Sequence, residues 1–270
     1  MKQNVKRLPY GINDFEAVIE QNQYYVDKTM YLPLLENQPS NIIFIRPRRF
    51  GKSIFLSMLH AYYDCSKKEK FQTLFGDLWV GKHPTPLQGR YQVLHLDFSY
   101  VGGSIDKLEE NFDIYMRVKL DGFMRVYQEF YPADIKEKFF KSDSATEKLA
   151  LLQDETAAKS IPLYLIIDEY DNFTNTVLNE QGENVYWAIT HADGFYRDVF
   201  KKFKGMFERI FITGVSPVTL DDVTSGFNIG WHISTKPEFN QMLGFSLEEV
   251  RKMFAYYKEV GGIPATSDIE

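Results

Sequence analysis

An α/β fold with a parallel sheet flanked by helices is predicted by two short apolar runs and by the helical stretches that separate them from two further strand candidates. NIIFI (41–45) and LYLIID (163–168) carry no charge before Asp168, are rich in β-branched or aromatic residues, and are each followed by a polar or glycine-bearing cluster. Such runs read as strands buried on both faces, the habit of parallel sheets. YQVLHLDFS (91–99), which alternates over part of its length, and RIFITGVS (209–216) are the other two candidates, and strands spaced by helices imply a layered α/β architecture.

The first helix is expected over 53–64, where Ile54, Leu56, Met58, Leu59 and Tyr62 supply one apolar stripe. A long helix is expected from Ser104 to about Phe130, bent or divided at Gly122. Ser144-Ala-Thr-Glu147 and Ser246-Leu-Glu-Glu249 both match the reciprocal side-chain capping pattern of a helix start, the first for a helix to about Lys159. From about 217 to 240 the chain is turn-rich, and a small helical appendage is expected from 235, dividing the chain into 1–234 and 235–270.

With 270 residues, 44% of them hydrophobic, the chain is long enough for one large core and gives no sign of disorder. A net charge of −6 supplies no global attraction for nucleic acid. The single cysteine, Cys65, cannot form an internal disulfide, and neither it nor the five histidines fall into a close-spaced metal pattern. No apolar segment follows the basic N-terminal residues and no run of 18 uncharged apolar residues occurs, so neither export nor membrane spanning is expected and a cytoplasmic location follows by default.

The segment IIFIRPRRFGKSIFLSML places G-K-S between a strand and a helix, which is the setting of a phosphate-binding loop with Arg46 where its first glycine usually stands. Gly51 lets the backbone approach phosphate oxygens, Lys52 reaches the β and γ phosphates, and the Ser53 hydroxyl can ligate Mg²⁺. Unpaired N–H groups at the helix start add a field that favours anions. The expected nucleotide-binding set is Pro47, Arg48, Arg49, Phe50, Gly51, Lys52, Ser53 and Ile54. Arg46 can take an extended conformation before Pro47. Arg48 and Arg49 could touch phosphate or nucleic acid, although arginines in exposed loops usually do neither.

LYLIIDEYD (163–171) ends a buried strand in three carboxylates. Asp168 is the expected Mg²⁺ partner alongside Ser53, and Glu169 the base that activates an attacking water. RIFITGVSP (209–217) offers Thr213 as a polar residue that can hydrogen-bond that water or the γ-phosphate. Glu169, Lys52 and Thr213 form the expected catalytic set. His95 and Asp97 share one alternation face and read as a hydrogen-bonded sheet end, while KKEK (67–70) and KKFK (201–204) read as solvated helix faces.

With these residues in place, the chain resembles the AAA-ATPase-like family of bacterial P-loop proteins, relatives of the archaeal-type ATPases that commonly carry a PD-(D/E)xK nuclease-like domain after the ATPase. LPYGINDFEAVIEQNQYYVDKT, RPRRFGKS, LYLIIDEYDNF, RIFITGVSPV and LGFSLEEV carry the likeness in order along nearly the whole chain. The resemblance implies a P-loop NTPase of the additional-strand (AAA-type) class, with another strand between the acidic strand and the phosphate-loop strand. It also implies that Arg46 is a family feature, and that YYVDKT (24–29) packs near the nucleotide base. No P-D followed by D/E-x-K on a strand is visible within these residues, so no nuclease activity is expected.

Together these readings lead to ATP and Mg²⁺ as ligands and to ATP hydrolysis, with a nucleotide-gated interaction module of negligible turnover as the alternative. A GTPase is disfavoured because N-K-x-D is absent and Thr235-Lys-Pro-Glu238 only echoes it. The arginine that would complete charge neutralisation is not assignable and could come from a neighbouring subunit, which leaves self-association open. The likeness also leaves a protein or nucleic-acid client open, without support from the charge balance.

Overall fold

Successive residues of a strand point to opposite faces of a sheet, and here both sets of faces are buried. In a computed structural model, which describes residues 5–172, 175, 177–178, 182–190, 195–216 and 230–264, strands β1 (Asn41–Ile45), β2 (Gln92–Asp97), β3 (Leu163–Asp168), β4 (Arg209–Gly214) and β5 (Trp231–His232) form one parallel sheet in the order β2-β3-β4-β1-β5. The turn-rich reading over 217–229 lies outside the described residues.

Helices cover both faces. On one face Ile42, Phe44, Tyr164, Ile166 and Phe211 pack with α1 (Phe15–Glu20), α2 (Leu32–Glu36), α3 (Lys52–Tyr63) and α4 (Phe71–Phe75). α5 (Trp79–Lys82) adds Val80 to that layer. On the other face Ile43, Leu165, Ile167, Ile210 and Ile212 pack with α6 (Leu108–Val126), α7 (Ala133–Lys141), α8 (Ala145–Lys159) and, through Tyr186, α9 (Glu183–Thr190) and α10 (Phe195–Met206). A final helix, α11 (Leu247–Glu259), follows the turn at Pro237–Phe239.

The apolar stripe of α3 is wider than its periodicity suggested, since Phe55, Ala61 and Tyr63 are buried with Leu56, Met58, Leu59 and Tyr62 while Ile54 is half-buried. Gly122 does not divide α6, which runs unbroken between short 3-10 turns at Ile105–Lys107 and Gln128–Phe130. A lone glycine costs a helix only about 1 kcal/mol, which the buried residues flanking it, Leu120, Phe123 and Met124, outweigh. Two tyrosines, Tyr115 of α6 and Tyr127 at its C-terminal cap, also close the outer edge of β2, as Tyr115 Oη accepts from Asp97 N at 2.6 Å and Tyr127 Oη from Val93 N at 2.9 Å. An edge strand otherwise offers such groups to other chains.

The reciprocal capping pattern is complete at α11, where Ser246 and Glu249 each satisfy the other's backbone N–H. At α8 only half of it forms, because Ser144 caps Glu147 N while the Glu147 carboxylate takes the Ser142 hydroxyl instead. The KKEK run is a 3-10 segment in which Lys67 and Lys70 both pair with Glu16, so it is less solvated than expected. KKFK keeps its three lysines exposed on α10 around buried Phe203.

Gly214 closes β4 where the acidic strand's loop comes nearest. A Cβ there would press into the Tyr170 ring and lie 2.6 Å from Asp171 Oδ1. Gly214→Ala is therefore expected to cost about 1–3 kcal/mol through overpacking, read as a lower urea midpoint with an unchanged m value.

Candidate functional site

Three polar side chains, Asp97, Asp168 and Thr213, stand at the C-terminal edge of the sheet on the face of α3, whose Ser53 they approach, because strand parity aims them there. Asp168 follows Tyr164 and Ile166 on that face of β3, Thr213 follows Phe211 on β4, and Asp97 stands in register with Asp168 on β2. The Asp168 carboxylate, 2% exposed, accepts the Ser53 hydroxyl at 2.7 Å on Oδ2, and the Thr213 hydroxyl at 2.6 Å and Glu169 N at 2.9 Å on Oδ1.

The loop between β1 and α3 brings Ser53 there. Its left-handed residues are Arg49, at φ 66°, and Gly51, at φ 82°. Space around Gly51 is ample, a Cβ meeting only Ile54 at 3.8 Å, so the glycine is required by conformation. No side chain caps the N-terminus of α3, and uncapped N–H groups at a helix start can receive an anion. Lys52 is buried to 5% exposure and its ammonium donates to the carbonyls of Arg46 and Pro47, each at 3.2 Å, spanning the loop mouth. Arg48, Arg49 and Phe50 are exposed at the loop tip, and Ile54 is half-buried.

Arg46 does not face the cradle. Its guanidinium donates to the carbonyls of Ile45 at 3.0 Å and Ser234 at 2.8 Å and lies 4.3 Å from the centre of the Phe44 ring, while its N–H extends the β1 ladder to Gly214 O at 3.2 Å. The residue in the place of the usual glycine is thus an anchor between the loop and the segment beyond β5.

Glu169 sits at φ 50°, a left-handed conformation uncommon outside glycine, and is half-buried. Burial raises its carboxyl pKa above the ordinary range, the nearby Asp168 and Asp97 carboxylates raise it further, and Lys52 and Arg48 pull it back only in part. A carboxylate made more basic in this way is suited to accept a proton. His95 is held neutral, its pKa pushed down to about 3 by burial and then by His60, Lys119 and Lys67, with the His60 ring set edge-on at 5.7 Å. Asp97, on the same face two residues on, accepts Ser99 N at 2.9 Å at the end of β2.

One side chain to which the sequence assigns no task stands beside this site. Asp171, 1% exposed, accepts the backbone N–H of Val215 and Ser216 just beyond Thr213. Its only signal was membership of the three-acid cluster. The YYVDKT segment proves to be a tether: Lys28 donates to Gln241 O at 2.7 Å and pairs with Glu249 at 2.6 Å, and Asp27 takes Trp79 N at 2.6 Å. Near them Gly244 N donates to Phe50 O at 3.0 Å, joining the loop tip to the residues ahead of α11.

The Ser53 hydroxyl and Asp168 carboxylate are hard oxygen donors 2.7 Å apart, which suits Mg²⁺, an ion held through one or two carboxylates together with substrate phosphates. Among the described residues no cluster of three or more His, Cys, Asp or Glu could hold a metal alone, so such an ion would depend on a bound phosphate.

A strand–loop–helix anion cradle beside an acidic strand end, on a five-strand parallel sheet flanked by helices, defines a P-loop-like α/β protein. The chain belongs to the AAA-ATPase-like family, described as predicted AAA-ATPases, whose model matches residues 9–224. Membership implies nucleotide binding. It is also similar to an uncharacterized protein in the vnfD 5′ region of Azotobacter chroococcum mcd 1, with 24% identity over 267 residues, 93% of this chain and 45% of that relative. The chain thus spans less than half the length of the relative it matches. Among the described residues no helix is long and apolar enough to cross a membrane.

Loss of the Arg46 anchor should be measurable without any ligand. Arg46→Ala is expected to destabilise the fold by about 1.5–3 kcal/mol, the range for hydrogen bonds to charged groups. Faster amide exchange at Ile233 and Lys236 would localise the effect, whereas unchanged stability and exchange would refute the anchoring role.

Proposed function

We propose that this chain binds ATP with Mg²⁺ and hydrolyses it to ADP and phosphate, on a fold of the additional-strand, AAA-type class. The observation that carries the reading is the contact of Ser53 and Thr213 with the two oxygens of Asp168, which unites the phosphate loop, the acidic strand and the strand between them. The position of β4 between β1 and β3 supports the class assignment.

Each residue then has a separable task. The N–H groups of α3 and the Lys52 ammonium, already at the loop mouth, receive the phosphates. Ser53 and Asp168 would hold Mg²⁺, which when bound supplies charge neutralisation at the phosphate oxygens. Glu169 takes the proton of the attacking water, and the Thr213 hydroxyl is placed to orient that water or the γ-phosphate.

A nucleotide-gated interaction module with negligible turnover is the second reading. It is favoured by the Gly244 bond to Phe50 O, through which loop occupancy would bear on the residues ahead of α11.

Binding and chemistry are tested separately. At a hundred times its dissociation constant ATP adds about 2.7 kcal/mol, which for a chain of this size should raise the melting temperature by roughly 5–10 °C. Lys52→Ala should abolish that shift, and GTP should give a smaller one. No shift with the unmutated protein would reject nucleotide binding.

Glu169→Gln should keep the shift and lose turnover. For the parent, a base with a raised pKa is protonated, and inactive, to higher pH than an ordinary carboxylate. Turnover should therefore climb with pH through a limb above the usual carboxylate range, absent from residual Glu169→Gln activity. Equally negligible hydrolysis by parent and variant would favour the switch.

A further inference from the structure

Glu169 holds a backbone conformation that costs energy for any side chain with a Cβ, so the surrounding structure must impose it. What imposes it is a lacing between the loop after β3 and the end of β4. Tyr170 N donates to Thr213 O at 3.1 Å, the Tyr170 hydroxyl reaches Ser216 O, and Asn172 N donates to Glu169 O at 3.0 Å. At its centre the Asp171 carboxylate receives Ser216 N at 2.6 Å, shares Val215 N between its two oxygens at 3.2 and 3.1 Å, and takes the Asn175 amide at 3.0 Å.

We propose that Asp171 is a positioning residue for the reaction: its buried carboxylate pins residues 214–216 to the acidic loop and so fixes Glu169 and Thr213 relative to one another. The proposal rests on the reading of Glu169 and Thr213 given above. A buried carboxylate needs donors, and successive backbone N–H groups supply them in one fixed geometry. Thr213 and Glu169 are each within two residues of a bond Asp171 makes or of Asp171 itself, whereas Ser53, at the helix end of the phosphate loop, is joined to them through Asp168, and the loop's first residue through the ladder bond of Arg46 N to Gly214 O, which Asp171 does not make. Loosening Asp171 should therefore disturb the catalytic pair and spare the cradle. An acceptor-only carboxylate is required, because an amide would turn its NH₂ toward one of the N–H donors.

The test compares Asp171→Asn with the parent for turnover, for ATP·Mg²⁺ affinity and for affinity toward ADP–aluminium fluoride, a mimic of the transferring phosphoryl group. Hydrogen bonds to a charged group are worth about 1.5–3 kcal/mol, so turnover and analogue affinity should each fall roughly tenfold or more. ATP affinity should stay within about twofold by the same arithmetic. Asn175→Ala, which removes one donor and leaves the carboxylate, should show the same selective pattern in milder form and serves if Asp171→Asn does not fold.

Parallel loss of ATP and analogue binding would mark Asp171 as merely structural and overturn the proposal, as would unchanged turnover and analogue affinity. Failure of the underlying reading is recognised earlier, by a parent that shows no ATP stabilisation sensitive to Lys52→Ala.

Discussion

A carboxylate that is 2% exposed must be given donors, and the donors that Asp168 finds belong to three different elements. Ser53 opens α3, Thr213 ends β4, and the N–H of Glu169 begins the loop after β3. Satisfying this one group fixes the distance between the phosphate loop and the centre of the sheet and selects the face on which α3 lies. Were any of these strands to slip by one residue, the side chain at the same level would point to the opposite layer of helices. The site is therefore as well specified as the core beneath it, because the same parity that buries Tyr164, Ile166 and Phe211 aims Asp168 and Thr213.

Placing β4 between β1 and β3 has a chemical consequence. The middle strand, paired Phe44 to Thr213 on one side and Ile167 to Ile212 on the other, contributes a hydroxyl where a further carboxylate would add repulsion. Acidic groups already crowd the outer side, with Asp97 level with Asp168 and both raising the pKa of Glu169 beyond what burial does. Lys52 and Arg48 oppose that rise without cancelling it. Half-buried beside other acids, Glu169 thus gains proton affinity from its surroundings, while Asp168 next to it in sequence is enclosed by hydroxyl donors.

Much of this was legible in the sequence wherever a local pattern sufficed. The apolar composition of 41–45 and 163–168 located two central strands, and G-K-S marked the junction of the loop with α3. Ser246 and Glu249 marked the start of α11 because a capping pattern involves only near neighbours. Ser144 and Glu147 show the limit of such patterns, since Ser142 competes for the same carboxylate. What stayed hidden depended on partners far along the chain. Nothing near Arg46 predicts that its guanidinium binds a carbonyl 188 residues away, or near Asp171 that its donors lie 44 and 45 residues on. Gly122 was misjudged because packing of the residues around it outweighs its own helix propensity.

The phosphate loop is held at both ends by residues that follow β5. Arg46 fastens its start to Ser234, and Gly244, left-handed at φ 75°, receives its tip through Phe50 O. Lys28 in turn binds both Gln241 and Glu249, so the N-terminal tether and α11 are locked to the same short stretch. A glycine in place of Arg46 could shape a turn but could not make these bonds, which explains why a bulky cation serves where a small residue is usual. Sequence texture suggests a boundary near 234, and bonds join the residues on either side of it to the loop between β1 and α3. Residues 234–249 are in mechanical terms part of the loop's support, and any movement of the loop must be resisted or transmitted by them.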